Sequence, residues 1–137
     1  MNSPADGPKA TVERYLRAIA DRDAPTVIQL LADDVEFWIA GDHPVCGTWK
    51  GRDAVVGGFL LPLGELFDPQ AGYTIEVRSM IAEGGQVAVE CLSRSATKAN
   101  VPYENRIVSV YTVKDGQITR MHEYFDTAYF TKTLAAR

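Results

Sequence analysis

The sequence lacks most of the residue clusters that announce a particular chemistry. It has two histidines, His43 in a Pro/Gly loop and His122 in a strand-like stretch, and neither has Cys, His or carboxylate neighbours at ligand spacing. A metal site is therefore not expected. It has two cysteines, Cys46 and Cys91, enough for one disulfide but not for a framework. Neither carries a local signature of an activated thiol, and Cys91 reads as a small core residue. Glycine-rich phosphate loops and dinucleotide fingerprints are missing, since Gly57-Gly58 is too short a signal, so no cofactor is expected. No apolar run is long enough to cross a bilayer, and the opening MNSPADGPKA has no apolar export core. Free thiols and a cytoplasmic location follow as expectations. Lys and Arg do not cluster and the net charge is -4, which argues against nucleic acid or an anionic membrane as partner. Internal repeats and low-complexity tracts are absent as well.

What is present is ordinary globular composition, 46% hydrophobic and 23% charged over 137 residues. That length suits one domain with one core and one site. Residues 1–8 read as a polar arm outside the fold, and residues 9–137 as a single domain. Val12, Tyr15, Leu16 and Ile19 recur at helical spacing, predicting a helix to about Ala20 with Thr11 as its N-cap. Asp23 and Pro25 open a second helix whose stripe is Val27, Leu30 and Leu31, closed by Asp33-Asp34. In VEFWIAG, Val35, Phe37 and Ile39 alternate with Glu36, Trp38 and Ala40, the period of a strand with one buried face.

After a loop through Gly41, Pro44 and Gly47, residues Thr48 to Lys50 read as a short return strand. A third helical region from Arg52 carries Val55, Phe59, Leu63, Leu66 and Phe67. Gly57-Gly58 and Pro62 loosen it, as helix interiors lose about 1 kcal/mol at Gly and about 3 kcal/mol at Pro. The remainder reads as an antiparallel meander. In its first strand Tyr73, Ile75, Val77 and Ile81 alternate with Thr74, Glu76, Arg78 and Met80. Gly84-Gly85 and Asp115-Gly116 mark the turns, and the last strand runs from Ile118 to Phe125. A tail from Asp126 to Leu134 adds a final helical turn or an extension over a pocket mouth. Helices first and a meander after them predict an α+β domain with helices on one sheet face.

Three stretches, VERYLRAIADRDAPTVIQLLADDVEFWIAG, GTWKGRDAV and YENRIVSVYTVKDGQITRMHEYFD, taken in this order, resemble the nuclear transport factor two-like superfamily. Within it they are most similar to the SnoaL-like and ketosteroid isomerase-like proteins. The resemblance implies a curved antiparallel or mixed sheet, cone-shaped and cystatin-like, whose concave face is closed by three helices from the N-terminal half. The hollow between them is expected to receive a small apolar molecule. The convex face commonly pairs two subunits in such proteins, so a homodimer is implied. Outward positions there are Glu76, Arg78, Glu90, Arg94, Arg106, Val108, Val110 and His122.

The resemblance also sets catalytic positions. Ketosteroid isomerase-like enzymes carry a tyrosine on the first helix, matched by Tyr15. Their carboxylate base falls here at Ile39, and their sheet carboxyl falls near Ser109. Epoxide hydrolases of the superfamily carry a Tyr and an Asn on the first strand, falling at Phe37 and Ile39. Their Arg and Asp on a later strand fall near Cys91 and Ser93, and only the last carboxylate is retained, as Glu123.

Glu123 also emerges from the pattern alone. It shares one strand face with Met121 and Phe125, while His122 and Tyr124 take the other. A carboxylate placed among hydrocarbons either finds a partner or has its pKa raised, and a raised pKa suits a general acid or base working near neutrality. The competing readings are a structural ion pair or hydrogen bond, or an inverted register that leaves Glu123 in solvent. Asn105 lies on the face of Ile107 and Ser109, where its amide either orients a ligand oxygen or caps the preceding loop. Tyr15 either packs in the core with its hydroxyl at the cavity or acts directly, and Asp126 caps the terminal turn or nears the cavity mouth. The candidate site is thus Glu123 as the catalytic group, with Tyr15, Phe37, Ile39, Phe59, Leu63, Asn105, Ser109, Met121 and Phe125 around the ligand. The function expected is cofactor-free acid/base catalysis of isomerase, cyclase, dehydratase or hydrolase type. The alternative is a non-catalytic ligand-binding or dimerisation module.

Overall fold

A computed structural model describes residues 7–135. Of the expected N-terminal arm, residues 1–6 lie outside the described residues. The first helix, α1 (Pro8–Ala20), begins earlier than the periodicity implies, with Gly7 in extended geometry as its N-cap and Pro8 in the first turn. Proline suits that position because its fixed φ is already helical and its missing N–H would have had no partner. Thr11 is therefore not the cap. It is fully buried inside α1, and its hydroxyl reaches back to the Gly7 carbonyl at 3.5 Å.

Helix α2 (Ala24–Leu30) is capped by Asp23, whose carboxylate accepts from the Thr26 amide at 3.2 Å and the Thr26 hydroxyl at 2.6 Å. It ends at Leu30 rather than at Asp33-Asp34. Leu31 is already extended and opens strand β1 (Leu31–Ile39), in which Asp33 and Asp34 lie exposed. They fall in an irregular stretch where β1 loses register with its neighbour between Leu31 and Glu36. A break in pairing lets two adjacent charged side chains both reach solvent, where a regular strand would turn one of them inward.

A short strand β2 (Gly47–Lys50) returns antiparallel to β1. A wide π-helical segment follows, Ala54–Leu60, running directly into α3 (Leu61–Gly64). Gly58 is required here for space. A Cβ at that position would sit 2.8 Å from the indole of Trp49, so glycine lets the helix lie against β2. The long strands β3 (Thr74–Glu83), β4 (Gln86–Ala96), β5 (Pro102–Lys114) and β6 (Gln117–Phe125) complete one curved sheet in the order β2-β1-β6-β5-β4-β3. All neighbours are antiparallel except β1 and β6, which pair in parallel. The chain then turns through α4 (Thr127–Phe130), capped by Asp126 through its bond to the Tyr129 amide, and into a second π-helical turn, Thr131–Ala135.

The expected alternation in β3 fails past its middle. A bulge between Val77 and Ser79 shifts the phase by one, so Met80 pairs with the inward Val89 and packs on the core, while Ile81 turns outward and is 67% exposed. One extra residue in a strand of period two inverts every side chain beyond it.

Helix α1 lies across the concave face, touching β3, β4, β5 and β6 and burying Val12, Tyr15 and Leu16 there. The first-strand residues Phe37 and Ile39, with Phe59 and Met121, sit in this core at 1–4% exposure. Phe37 meets Phe59 edge-to-face at 5.3 Å and is flanked in register by Met121 and Trp49. These four side chains fill space instead of facing an opening. Truncating such a side chain removes its transfer energy and leaves a cavity. Phe37→Ala should therefore lower the unfolding free energy by about 3–5 kcal/mol in urea titration; a loss under about 1 kcal/mol would show that Phe37 borders an open space instead.

Candidate functional site

Strand register assembles the inward-facing residues into rows across the sheet. One row runs Ile39, Glu123, Ser109, Val89 and Met80. On one side lies the row Phe37, Met121, Tyr111 and Val87, and on the other the row Phe125, Ile107 and Cys91, which ends at the exposed Val77 on the edge strand. Asn105, Ser93 and Ile75 form the next row toward the open end of the sheet. Glu123 is the carboxylate in these rows, with hydrocarbon along most of both flanks.

The Ser109 hydroxyl donates to Glu123 Oε2 at 3.3 Å, and no ion pair reaches the carboxyl among the described residues. Burial pushes its pKa up from the ordinary 4.5 to about 7, and the Ser109 bond pulls part of the way back. Desolvation outweighs the hydrogen bond because one weak neutral donor replaces little of the hydration a carboxylate loses. Glu123 lies deep among protein atoms, yet it is half-buried by accessible surface. The same holds for Tyr73, Ile75, Ile107 and Phe125. Side chains beneath a helical layer keep accessible surface where the layer stands off from the sheet.

Around the carboxyl stand Tyr15 from α1, Tyr73 ahead of β3, and Tyr103 and Tyr111 from β5. Each phenol has its pKa raised by burial first, with Glu123 adding to the shift; Tyr73 reaches about 12. Cys91 is pushed up to about 12 by burial and then by Glu123. All five remain neutral hydrogen-bond donors near pH 7. Tyr15 and Tyr111 meet edge-to-face at 5.8 Å, and Phe67 bridges Tyr73 and Tyr103 at 5.3 Å from each. Ser93 stands close enough to Tyr73 to hold its phenol pKa down in part, and Ser109 does the same for Tyr111 as well as for Glu123.

A cavity of ≈ 260 Å³ opens between α1, the start of α2 and α3, bordered by Ile19, Val56, Leu60, Leu63, Phe67 and Tyr73, with Arg22, Asp23 and Glu65 also on its boundary. Glu123 is not on its wall. Tyr73 joins the two regions, since it borders the cavity and feels the Glu123 charge. Of the expected ligand-facing residues, Leu63 borders this cavity, Tyr15, Ser109 and Phe125 surround Glu123, and Phe37, Ile39, Phe59 and Met121 are core. Asn105 neither caps a loop nor offers its amino group to a ligand. Its Nδ2 donates to the Tyr103 hydroxyl at 3.0 Å and the Asp126 carbonyl at 3.3 Å, tying β5 to the C-terminal turn.

Chain patterning had more to offer than Glu123. Tyr103 and Tyr111 are in phase with Asn105 and Ser109 along β5, and Tyr73 is in phase with Ile75, so alternation alone put these phenols on the site face. His43 carried no such signal. Its Nε2 donates to the Ala40 carbonyl at 2.9 Å, and its Nδ1 is the buried side-chain polar atom without a partner among the described residues. The ring packs on Phe125 and Phe130. No group of three metal-ligating side chains occurs among the described residues, and no described helix is long and apolar enough to cross a membrane.

The model of the SnoaL-like domain matches residues 12–121. A protein of Mycobacterium tuberculosis, Rv0034, is 31% identical over 114 residues, 83% of this chain and 85% of that protein. The chain belongs to the SnoaL-like domain family. Among solved structures, an NTF2-like protein from Burkholderia pseudomallei superposes with TM-score 0.80 at 22% identity, covering 93% of this chain and 96% of that one. A putative SnoaL-like polyketide cyclase from Jannaschia superposes with TM-score 0.79 at 17% identity, covering 100% and 98%. These likenesses establish the nuclear transport factor two-like, cystatin-like fold for this SnoaL-like chain.

The raised carboxyl has a consequence for this SnoaL-like domain that can be measured without a ligand. Between about pH 4.5 and 7 the folded protein keeps the Glu123 proton that the unfolded chain releases, so this group's contribution to stability declines as pH rises through that window. The gap corresponds to about 3 kcal/mol at most. Glu123→Gln should match the parent in urea titration at pH 4 and exceed it at pH 8, whereas equal stability at both pH values would mean the carboxyl is solvated.

Proposed function

We propose that the protein binds a small, largely apolar molecule over the concave face and catalyses proton transfer on it, with Glu123 as acid/base. The observation that carries this reading is Glu123 itself, a lone carboxylate titrating near neutrality with one hydroxyl donor and a ring of neutral phenols. The carboxylate takes a proton from a carbon or oxygen of the ligand and returns it elsewhere on the same molecule. Tyr15 or Tyr111, held neutral by burial, donates to the oxygen on which negative charge develops. Isomerisation, cyclisation and dehydration use such a step, and hydrolysis uses the same carboxylate with the proton taken instead from a water molecule that adds to the ligand.

The register supports the same reading. The ketosteroid isomerase-like resemblance puts a base at Ile39 and a carboxyl at Ser109, neither of which is acidic here. Both are the direct register partners of Glu123, one on each side. A single carboxyl thus stands between the two places where relatives of that kind carry one. A non-catalytic ligand-binding module is the second reading, favoured by the hydrocarbon at Phe37 and Ile39 and by the engaged amide of Asn105. A cytoplasmic location suits the two unpaired cysteines.

The convex face fits a homodimer. Trp38 packs against His122 at 5.5 Å and Tyr124 at 5.3 Å, and Tyr124 and Val108, register partners, are 45% and 41% exposed. The ion pairs of Arg94 with Glu76 and Glu104 add charge beside this apolar patch but, being exposed, little stability. Sedimentation should give about twice the chain mass of 15.1 kDa, and Tyr124→Arg should return the monomer.

Thermal shift against apolar ketones, lactones and epoxides identifies ligands, since a ligand at about 100 times its Kd raises stability by about 2.7 kcal/mol. Glu123→Gln should stay folded, keep that ligand shift and lose turnover by about 10²–10⁴-fold; undiminished turnover in this variant rejects the catalytic role.

A further inference from the structure

We propose that the ligand received at Glu123 carries a cationic ammonium head, held by the carboxylate and the surrounding tyrosine rings, with its apolar part toward the α1–α3 cavity. This names the ligand class of the site proposed above and rests on the reading of that site as a ligand site, but not on turnover.

The argument is one of unbalanced charge. Every described Lys and Arg side chain is exposed except that of Arg52, which is half-buried and committed to Asp33 at 2.7 Å and the Leu31 carbonyl at 3.3 Å. His122 stands on the opposite sheet face beside Trp38, and His43 donates its Nε2 proton to Ala40. Among the described residues no ion pair reaches the Glu123 carboxylate, and its oxygens accept one weak hydrogen bond where hydration would satisfy about four acceptor sites. A half-buried carboxylate with little hydration and no counter-charge is costly, and a bound cation offsets that cost.

The remaining groups at the site suit the same head. Tyr15, Tyr73, Tyr103 and Tyr111 come from three parts of the chain and all lie within electrostatic reach of Glu123. Aromatic rings gathered around a carboxylate attract a weakly hydrated cation such as an alkylated ammonium, and more strongly where water is excluded. An anionic ligand would meet repulsion from Glu123, with which no described guanidinium pairs. The α1–α3 cavity continues this bias at its boundary, where Asp23 and Glu65 stand against Arg22 alone. The net charge of -4 draws cations toward the molecule as a whole.

The test compares choline with its neutral carbon isostere, 3,3-dimethylbutan-1-ol, by NMR titration of the tyrosine ring protons. The two probes match in shape, and neither titrates across the range used. Choline should bind at least about tenfold more tightly than the alcohol at pH 8. On the unmodified protein, its affinity should fall between pH 8 and pH 5 toward that of the alcohol, by about the same factor as the preference at pH 8, as protonation of Glu123 removes the partner charge. Tyr15, Tyr73, Cys91, Tyr103 and Tyr111, the other titratable groups facing the carboxyl, stay neutral throughout and contribute nothing to that slope. Glu123→Gln should abolish the preference, and the pH series stands in its place if that variant does not fold.

Equal or tighter binding of the alcohol, a choline affinity independent of pH, or no saturable binding of choline overturns the proposal. A protein that prefers choline yet turns over nothing supports the ligand class and counts against the catalytic reading, so the two stand or fall separately.

Discussion

Burial of the sheet's concave face beneath α1 is the interaction on which the rest of the molecule depends. Val12, Tyr15 and Leu16 supply the apolar surface that makes four strands adhere to one helix. That same coverage strips part of the hydration from Glu123, which stays half-buried, and lifts its pKa to about 7. Stability and chemistry therefore have a common origin. The layer that buries the concave face also imposes an electrostatic cost at Glu123, and the fold tolerates that cost because the carboxyl can hold a proton.

The placement of Glu123 shows how far alternation carries. In β1 and β6 a strict period of two assigns Phe37, Ile39, Met121, Glu123 and Phe125 to one face, and all of them occupy it. Face was legible, but depth was not. Phe37, Ile39, Phe59 and Met121 carry the signature of lining residues, yet the helices press close enough to pack them, while Ile107 and Phe125 nearby keep accessible surface. Distance between layers is set by contacts between different elements, such as Trp49 of β2 against Gly58 of the π-helical segment, and no local period records it.

Departures from the expected elements share another cause. The bulge between Val77 and Ser79, the irregularity around Asp33-Asp34 and the π-helical Ala54–Leu60 each insert or absorb a residue. Such insertions respond to the partner strand or helix, which a single stretch of sequence does not display. Their effect is on direction: Met80 joins the site row because of one bulge, and Ile81 leaves it. The resemblance to ketosteroid isomerase-like proteins supplied the fold and the catalytic positions, and it pointed to Ile39 and Ser109. Register then revealed that those two residues flank the one carboxyl that is present.

The parallel pairing of β1 with β6 has a bearing on time as well as on space. These strands lie near opposite ends of the described chain, and the row containing Ile39, Glu123 and Ser109 forms only when they meet. Closing so long a loop carries a large entropic cost and favours late formation in folding, after the local hairpins of β3 to β6. During synthesis, helix α1 and strand β1 emerge well before the strand that completes their sheet, so their apolar faces wait without a partner. The buried carboxyl is consequently among the last features to be desolvated, and its proton uptake at neutral pH would report completion of the fold.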